Sequence, residues 1–171
     1  IDAARAANVL VAHVEASSIW ARHPRNEADL DPPAGPPAYA PPPVVPGWRQ
    51  AIVARSHGRD YPTESPYGRM DRARMVAPQG DEPFVHQTNQ LDRVLRRRGI
   101  ENLIYAGFAT DMCILRAPGG IEPMAEFGYR LFLIRDATLG CESPDTFAER
   151  IATRWALRYF ETHYGNTVTT R

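Results

Sequence analysis

The 171-residue chain contains no lysine, and all 20 of its basic residues are arginine. Arginine stays protonated in proteins, so no basic ammonium or guanidinium here can shuttle a proton. Cysteine is almost as scarce, with Cys113 and Cys141 alone. Two isolated thiols make neither a disulfide framework nor a metal-ligand spacing, so neither metal nor cofactor is expected. Long apolar runs are missing too. None approaches the roughly 18 residues that a membrane span needs, and no signal peptide is visible. Twenty acidic residues balance the arginines to a net charge of zero. That balance gives no electrostatic case for binding nucleic acid or an anionic membrane. A cytoplasmic single domain covering residues 1–171 is the expectation, since this length supports one sizeable core.

The most informative stretch runs from Asn102 to Cys141. Leu103-Ile104-Tyr105-Ala106 is an apolar run that stops at Gly107, and Leu131-Phe132-Leu133-Ile134 is a second. A helix-length segment separates them. Short unbroken apolar runs so spaced predict parallel strands buried on both faces. Ligands of such sheets bind beyond the carboxyl ends of the strands. Cys113 falls there, in the first turn of the intervening helix. The first N–H groups of a helix lack intrahelical partners and carry partial positive charge, which stabilises a thiolate and can hold an oxyanion. A buried structural cysteine is the competing interpretation.

The motif Gly107-Phe108-Ala109-Thr110-Asp111-Met112-Cys113, followed by Gly128-Tyr129-Arg130-Leu131 and Arg135-Asp136-Ala137, resembles the isochorismatase-like cysteine hydrolases, which include nicotinamidases and carbamoylsarcosine amidases. The resemblance runs from about Asp2 to Thr138, with a Pro-rich divergence in between. It implies a three-layer α/β/α fold with a mostly parallel sheet. It also implies a Cys113 nucleophile, an oxyanion held by backbone around Ala109, Thr110 and Met112, a small-molecule amide or related C–N substrate, and homo-oligomers. It further implies a cis peptide before the motif threonine, here Ala109–Thr110, and a mainly structural Asp136.

Two departures from the family stand out. The family's first strand carries an Asp general base and would precede Ile1; either the chain is truncated or the protein lacks that strand, and truncation is the expectation, since a sheet beginning inside a helix would leave its central crevice poorly formed. The family's lysine, which activates the nucleophile, is replaced by Gln87 at the equivalent position. Glutamine donates hydrogen bonds but carries no charge. A catalytically degenerate relative retained for binding or assembly is therefore the alternative reading. A redox-active thiol protein is a third, opposed by the absence of a C-x-x-C pair.

Elsewhere, residues 1–7 read as the tail of a helix and Val9 to Val14 as a buried strand. Nine prolines between Pro24 and Pro46 exclude helix and central strand, predicting an extended surface arm. Arg49 to Ser56 reads as a short helix. Ser56, His57 and Asp60 read as a solvated loop rather than a triad, and Tyr61 to Gly68 as a turn-rich aromatic loop. Phe84 to Gln87 reads as a short strand, with His86 satisfied at its end. Asn89 is expected to cap a helix that reaches Arg98. Pro118 should break the helix after Cys113. Ser143 is expected to cap the last helix, whose Phe147, Ile151, Ala152, Trp155, Tyr159 and Phe160 form a core-facing stripe. Thr167 to Thr170 reads as a final edge strand.

Overall fold

A computed structural model describes residues 1–23, 47–57, 59–61 and 69–171; nothing is described of the side chains of Ser56 and His57. The Pro-rich arm, most of the aromatic loop and the Ser56/His57 side chains lie outside these residues. In chain order the elements are α1 (Asp2–Ala6), β1 (His13–Val14), α2 (Ser17–Trp20), α3 (Trp48–His57), β2 (Phe84–Val85), α4 (Thr88–Arg97), β3 (Asn102–Phe108), α5 (Cys113–Arg116), α6 (Ile121–Ala125), β4 (Arg130–Leu139), α7 (Ile151–His163) and β5 (Gly165–Val168). The chain divides into two compact units. One comprises residues 1–32 and 78–171, and the other residues 33–77. The described part of the second unit holds α3 and a 3-10 turn at Arg74–Val76.

The first unit is α/β and all its strand pairs are parallel. Its strands form two sheets, β1-β2 and β3-β4-β5. Among the described residues, β1 and β3 each leave one edge without a strand partner. Strand β1 is shorter than the apolar run Val9 to Val14: only His13 and Val14 find partners, Phe84 and Val85. The expectation that β3 is buried on both faces fails along part of its length. Leu103 is buried, but Ile104 is 60% and Phe108 61% exposed.

Around β4 the core is conventional. Leu131 and Leu133 are buried with Val85, Leu91, Leu95, Leu115, Ile121, Met124 and Phe160. Leu91, Val94 and Leu95 project from α4 as its periodicity predicts. Its cap differs from expectation. Gln87, extended at φ −133°, is the N-cap rather than Asn89, and Gln90 Oε1 accepts hydrogen bonds from Gln87 N (3.2 Å) and His86 N (3.0 Å). This reciprocal arrangement satisfies amides that the helix cannot. Pro118 breaks the next helix as predicted: α5 ends at Arg116 and α6 starts at Ile121. The break is pinned from both sides, because Gly119 N donates to Thr88 Oγ1 (3.0 Å) and Tyr105 Oη donates to Gly119 O (3.0 Å).

The last helix also departs from the sequence reading. Ser143 initiates a turn, its carbonyl accepting from Thr146 N and Phe147 N, and Arg150 adopts a left-handed conformation at φ 50°. The helix starts only at Ile151. Its core side is Thr153, Ala156 and Phe160, whereas Phe147 (67%), Ile151 (51%) and Trp155 (49%) face outwards. Trp155 stacks on Tyr159 with ring centroids 5.3 Å apart. Strand β5 then pairs along β4 as the edge of the sheet. These two faces make a stability contrast. Phe160→Ala should cost about 3–5 kcal/mol by leaving a cavity in the core. Trp155→Ala should cost about 1 kcal/mol or less, since half of that ring already contacts water. Urea unfolding of both variants checks this, and equal losses would contradict the assignment of faces.

Candidate active site

The site grows from the carboxyl ends of β3 and β4. Near its end β3 passes through Gly107 at φ 124°, a conformation that side chains rarely adopt, and there its register with β4 shifts. Phe108 pairs with Leu139, and the Phe108–Ala109 peptide is cis. The cis bond therefore lies one residue earlier than the Ala109–Thr110 position expected from the resemblance. The chain then turns through residues 109–112 and enters α5 at Cys113.

This turn is tied to β4 by the buried Thr110. Its N–H donates to Leu139 O at 3.0 Å. Its hydroxyl lies 2.6 Å from Thr138 Oγ1, which donates its single proton to Gly107 O at 2.9 Å. Thr110 must therefore be the donor in the hydroxyl pair. A second tie follows it: Cys141 N donates to Asp111 Oδ1 at 2.7 Å. Cys113 is an exposed free thiol, and the buried Ile114 and Leu115 anchor the helix below it. Cys141 is a second exposed free thiol on the neighbouring loop.

The amides of the turn can be assigned individually. Thr110 N–H is committed to Leu139 O, Met112 N–H to Ala109 O (3.2 Å), and Ile114 N–H also to Ala109 O (3.0 Å). The N–H groups of Ala109, Asp111 and Cys113 have no hydrogen-bond partner among the described residues. Of the residues expected to hold an oxyanion, Thr110 and Met112 thus have their amides already occupied, whereas Ala109 keeps a free donor. Asp111 and Cys113 itself supply the other free N–H groups of the turn. Helix α5 is only four residues long, so local N–H groups rather than a long dipole provide the positive potential.

The other sequence candidates have these partners. Gln87 is the cap of α4. His86 packs against Trp20, with ring centroids 4.3 Å apart. The Asp136 carboxylate accepts from Thr170 N (3.0 Å) and Thr170 Oγ1 (2.6 Å). Among the described residues no group of three or more His, Cys, Asp or Glu side chains is placed to hold a metal. No helix there is long and apolar enough to cross a membrane. A cavity of about 520 Å³ opens along α7, lined by Arg135, Ile151, Trp155 and Arg158 among others, and Cys113 does not line it.

Two polar clusters escaped the sequence reading. Glu82 Oε1 accepts from Arg5 Nε (2.7 Å), while Glu82 Oε2 meets Arg5 Nη2 and His13 Nε2, each at 2.9 Å. The only sequence signal was a histidine inside an apolar run. The second cluster adjoins the site. Glu142 accepts from Ala152 N (3.1 Å), Thr153 N (2.8 Å) and Thr153 Oγ1 (2.8 Å), capping α7 from the loop that follows Cys141. Its acceptor contacts scatter over ten residues of sequence and leave no local pattern.

Both carboxyls titrate low. The Arg5 guanidinium leads in holding Glu82 at about 2. For Glu142, partial desolvation pushes upwards, but the hydrogen bonds from Thr153, Thr146 and Ala152 prevail and bring it to about 2. Each folded-state value lies below the ordinary 4.5. The stability these groups supply is thus fully present above pH 4.5 and is lost as pH falls through about 2. Thermal unfolding should show a falling midpoint across that window, with a shallower fall in E142Q and in E82Q. An unchanged slope in both variants would contradict the assignment.

Comparison with known proteins places these features in context. The Isochorismatase domain family matches residues 74–171, more than half of the chain. A cysteine hydrolase from Pseudomonas syringae pv. phaseolicola is similar in structure, with a TM-score of 0.56 and 21% identity over 99% of this chain and 72% of its own. An isochorismatase family protein from Desulfovibrio vulgaris gives a TM-score of 0.51 and 13% identity, covering 97% of this chain and 74% of its own. A nicotinamidase from Bacillus subtilis is 26% identical with a TM-score of 0.37, over 46% of this chain and 38% of its own. Measured against that nicotinamidase, the chain spans well under half of the relative's length. No curated protein matches. With the family match over residues 74–171, and a fold shared with the Pseudomonas and Desulfovibrio structures, the chain belongs to the isochorismatase family.

Proposed function

We propose that the chain is a cysteine hydrolase that acts on a small-molecule amide or related C–N bond through Cys113. The observation that carries this reading is the exposed thiol of Cys113 in a turn with three unpartnered N–H groups, those of Ala109, Asp111 and Cys113, at the carboxyl ends of β3 and β4. In this reading the thiol gives up its proton and the thiolate adds to the carbonyl carbon. The oxyanion that forms is met by free N–H groups of the turn, those of Ala109, Asp111 and Cys113, and the C–N bond breaks as the amine departs carrying that proton, leaving an acyl-thioester. Water then releases the acid and restores the thiol. The substrate is a free small molecule, the working form is a homo-oligomer, and two free thiols suit a reducing cytosol.

One observation favours a second reading, a degenerate family member kept for binding or assembly. The chain has no lysine, and Gln87, which stands at the family's lysine position, is engaged as a helix cap. A neutral cap offers a thiolate far less than a nearby ammonium does.

Thiol reactivity and turnover separate the two. Iodoacetamide at neutral pH should alkylate Cys113, in a C141S background, at least about tenfold faster than it alkylates Cys141 in a C113S background. A screen of nicotinamide, carbamoyl and isochorismate-like compounds should give turnover that drops by roughly a thousandfold or more in C113S. Equal alkylation rates with no turnover would establish the degenerate reading instead.

A further inference from the structure

Asp111 has no part in the chemistry proposed above beyond its main-chain N–H, yet its side chain makes the second tie of the nucleophile turn, to the loop that leads into α7. Asp111 Oδ1 accepts the Cys141 amide at 2.7 Å. The loop carrying that amide is held in turn at two points. Gly140 N donates to the buried Thr153 Oγ1 at 2.9 Å, and Glu142 accepts from Thr153 N and Thr153 Oγ1, each at 2.8 Å. Space at this junction is tight. A Cβ on Gly140 would stand 2.8 Å from Thr153 N and 3.2 Å from Asp111 Oδ1. Only a residue without a side chain lets the start of α7, the 140–142 loop and the Asp111 carboxylate meet.

Thr110 fixes the near end of the turn and α5 fixes its far end. Between them lie the free N–H groups of Asp111 and Cys113, and at position 111 the side-chain restraint found among the described residues is the Asp111–Cys141 bond. From this geometry we infer that Asp111 is a positioning residue, whose carboxylate, braced through Cys141 and Glu142 against α7, holds the turn that presents the free N–H groups of Ala109, Asp111 and Cys113 where the oxyanion of acyl transfer forms. The role rests on the acyl-transfer reading of Cys113. It adds that α7, a helix distant in sequence, sets the geometry of the turn. A charged acceptor suits this task because its hydrogen bonds are shorter and stronger than neutral ones.

Two reagents that use the same thiol differently provide the test. Iodoacetamide reacts by displacement at carbon and forms no oxyanion. 4-Nitrophenyl acetate acylates through a tetrahedral oxyanion and depends on the N–H donors. All variants are made on C141S, which keeps the Cys141 amide. D111A should acylate at least about tenfold more slowly, because small misplacements of reacting groups are costly. Its alkylation should stay within about twofold, with an unchanged circular dichroism spectrum. D111N, which keeps an oxygen acceptor, should recover most of the acylation. Parallel loss of both reactions in D111A, or full acylation by D111A, would overturn the positioning role while leaving the nucleophile in place. A parent chain that alkylates at Cys113 but never acylates would overturn the acyl-transfer reading, and this role with it.

Discussion

The Thr110 tie is the constraint on which the rest of the site depends. Two parallel strands end side by side, and the chain leaving β3 must reverse into a helix without stranding its polar groups. Thr110 resolves this with its N–H on Leu139 O and its hydroxyl on Thr138, which passes its proton to Gly107 O. Each such bond contributes only about 0.5–1.5 kcal/mol net. Their directional effect is larger than their energy. Thr110 is fully buried, so an unmade bond there would leave a desolvated polar group, and the turn has one arrangement that avoids this. Exposure of Cys113 follows directly: with Thr110 turned inwards and Ile114 and Leu115 packed below, the residues between them face outwards.

Much of this was legible in the sequence, for physical reasons that can be named. The runs at Leu103 and Leu131 marked parallel strands because their residues suit a covered sheet and the distance between them suits a helix. Pro118 marked a helix break because it has no N–H to give. The Thr-x-x-Cys order marked the turn. What stayed illegible depended on partners distant in the chain. Whether Val9 to Ala12 would join a strand could not be read from their apolarity, since a strand exists only where a neighbour supplies hydrogen bonds. The same limit applies to Ile104, apolar and exposed on an unpaired edge.

The last helix shows the converse. Its 3.6-residue periodicity is real, and the stripe through Ile151, Trp155 and Tyr159 exists. Periodicity identifies a face but not what covers it. Here Thr153, rather than the more apolar Trp155, turns to the core, because its hydroxyl serves both Gly140 N and Glu142. A polar side chain that completes a buried network can outrank a larger apolar one for a place inside, since the network would otherwise leave several groups unpaired.

Gln87 shows how local demands fix a side chain. As the N-cap of α4, it is extended and complements Gln90 across the first turn. A lysine at this position could not accept from a backbone N–H, so it would leave the helix start less satisfied. Position 87 therefore serves helix stability. The turn at Cys113 has its own restraints, through Thr110 and Asp111, none of which passes through Gln87. The geometry of the turn is held by the ends of β3 and β4 and by the loop ahead of α7, independently of the cap on α4.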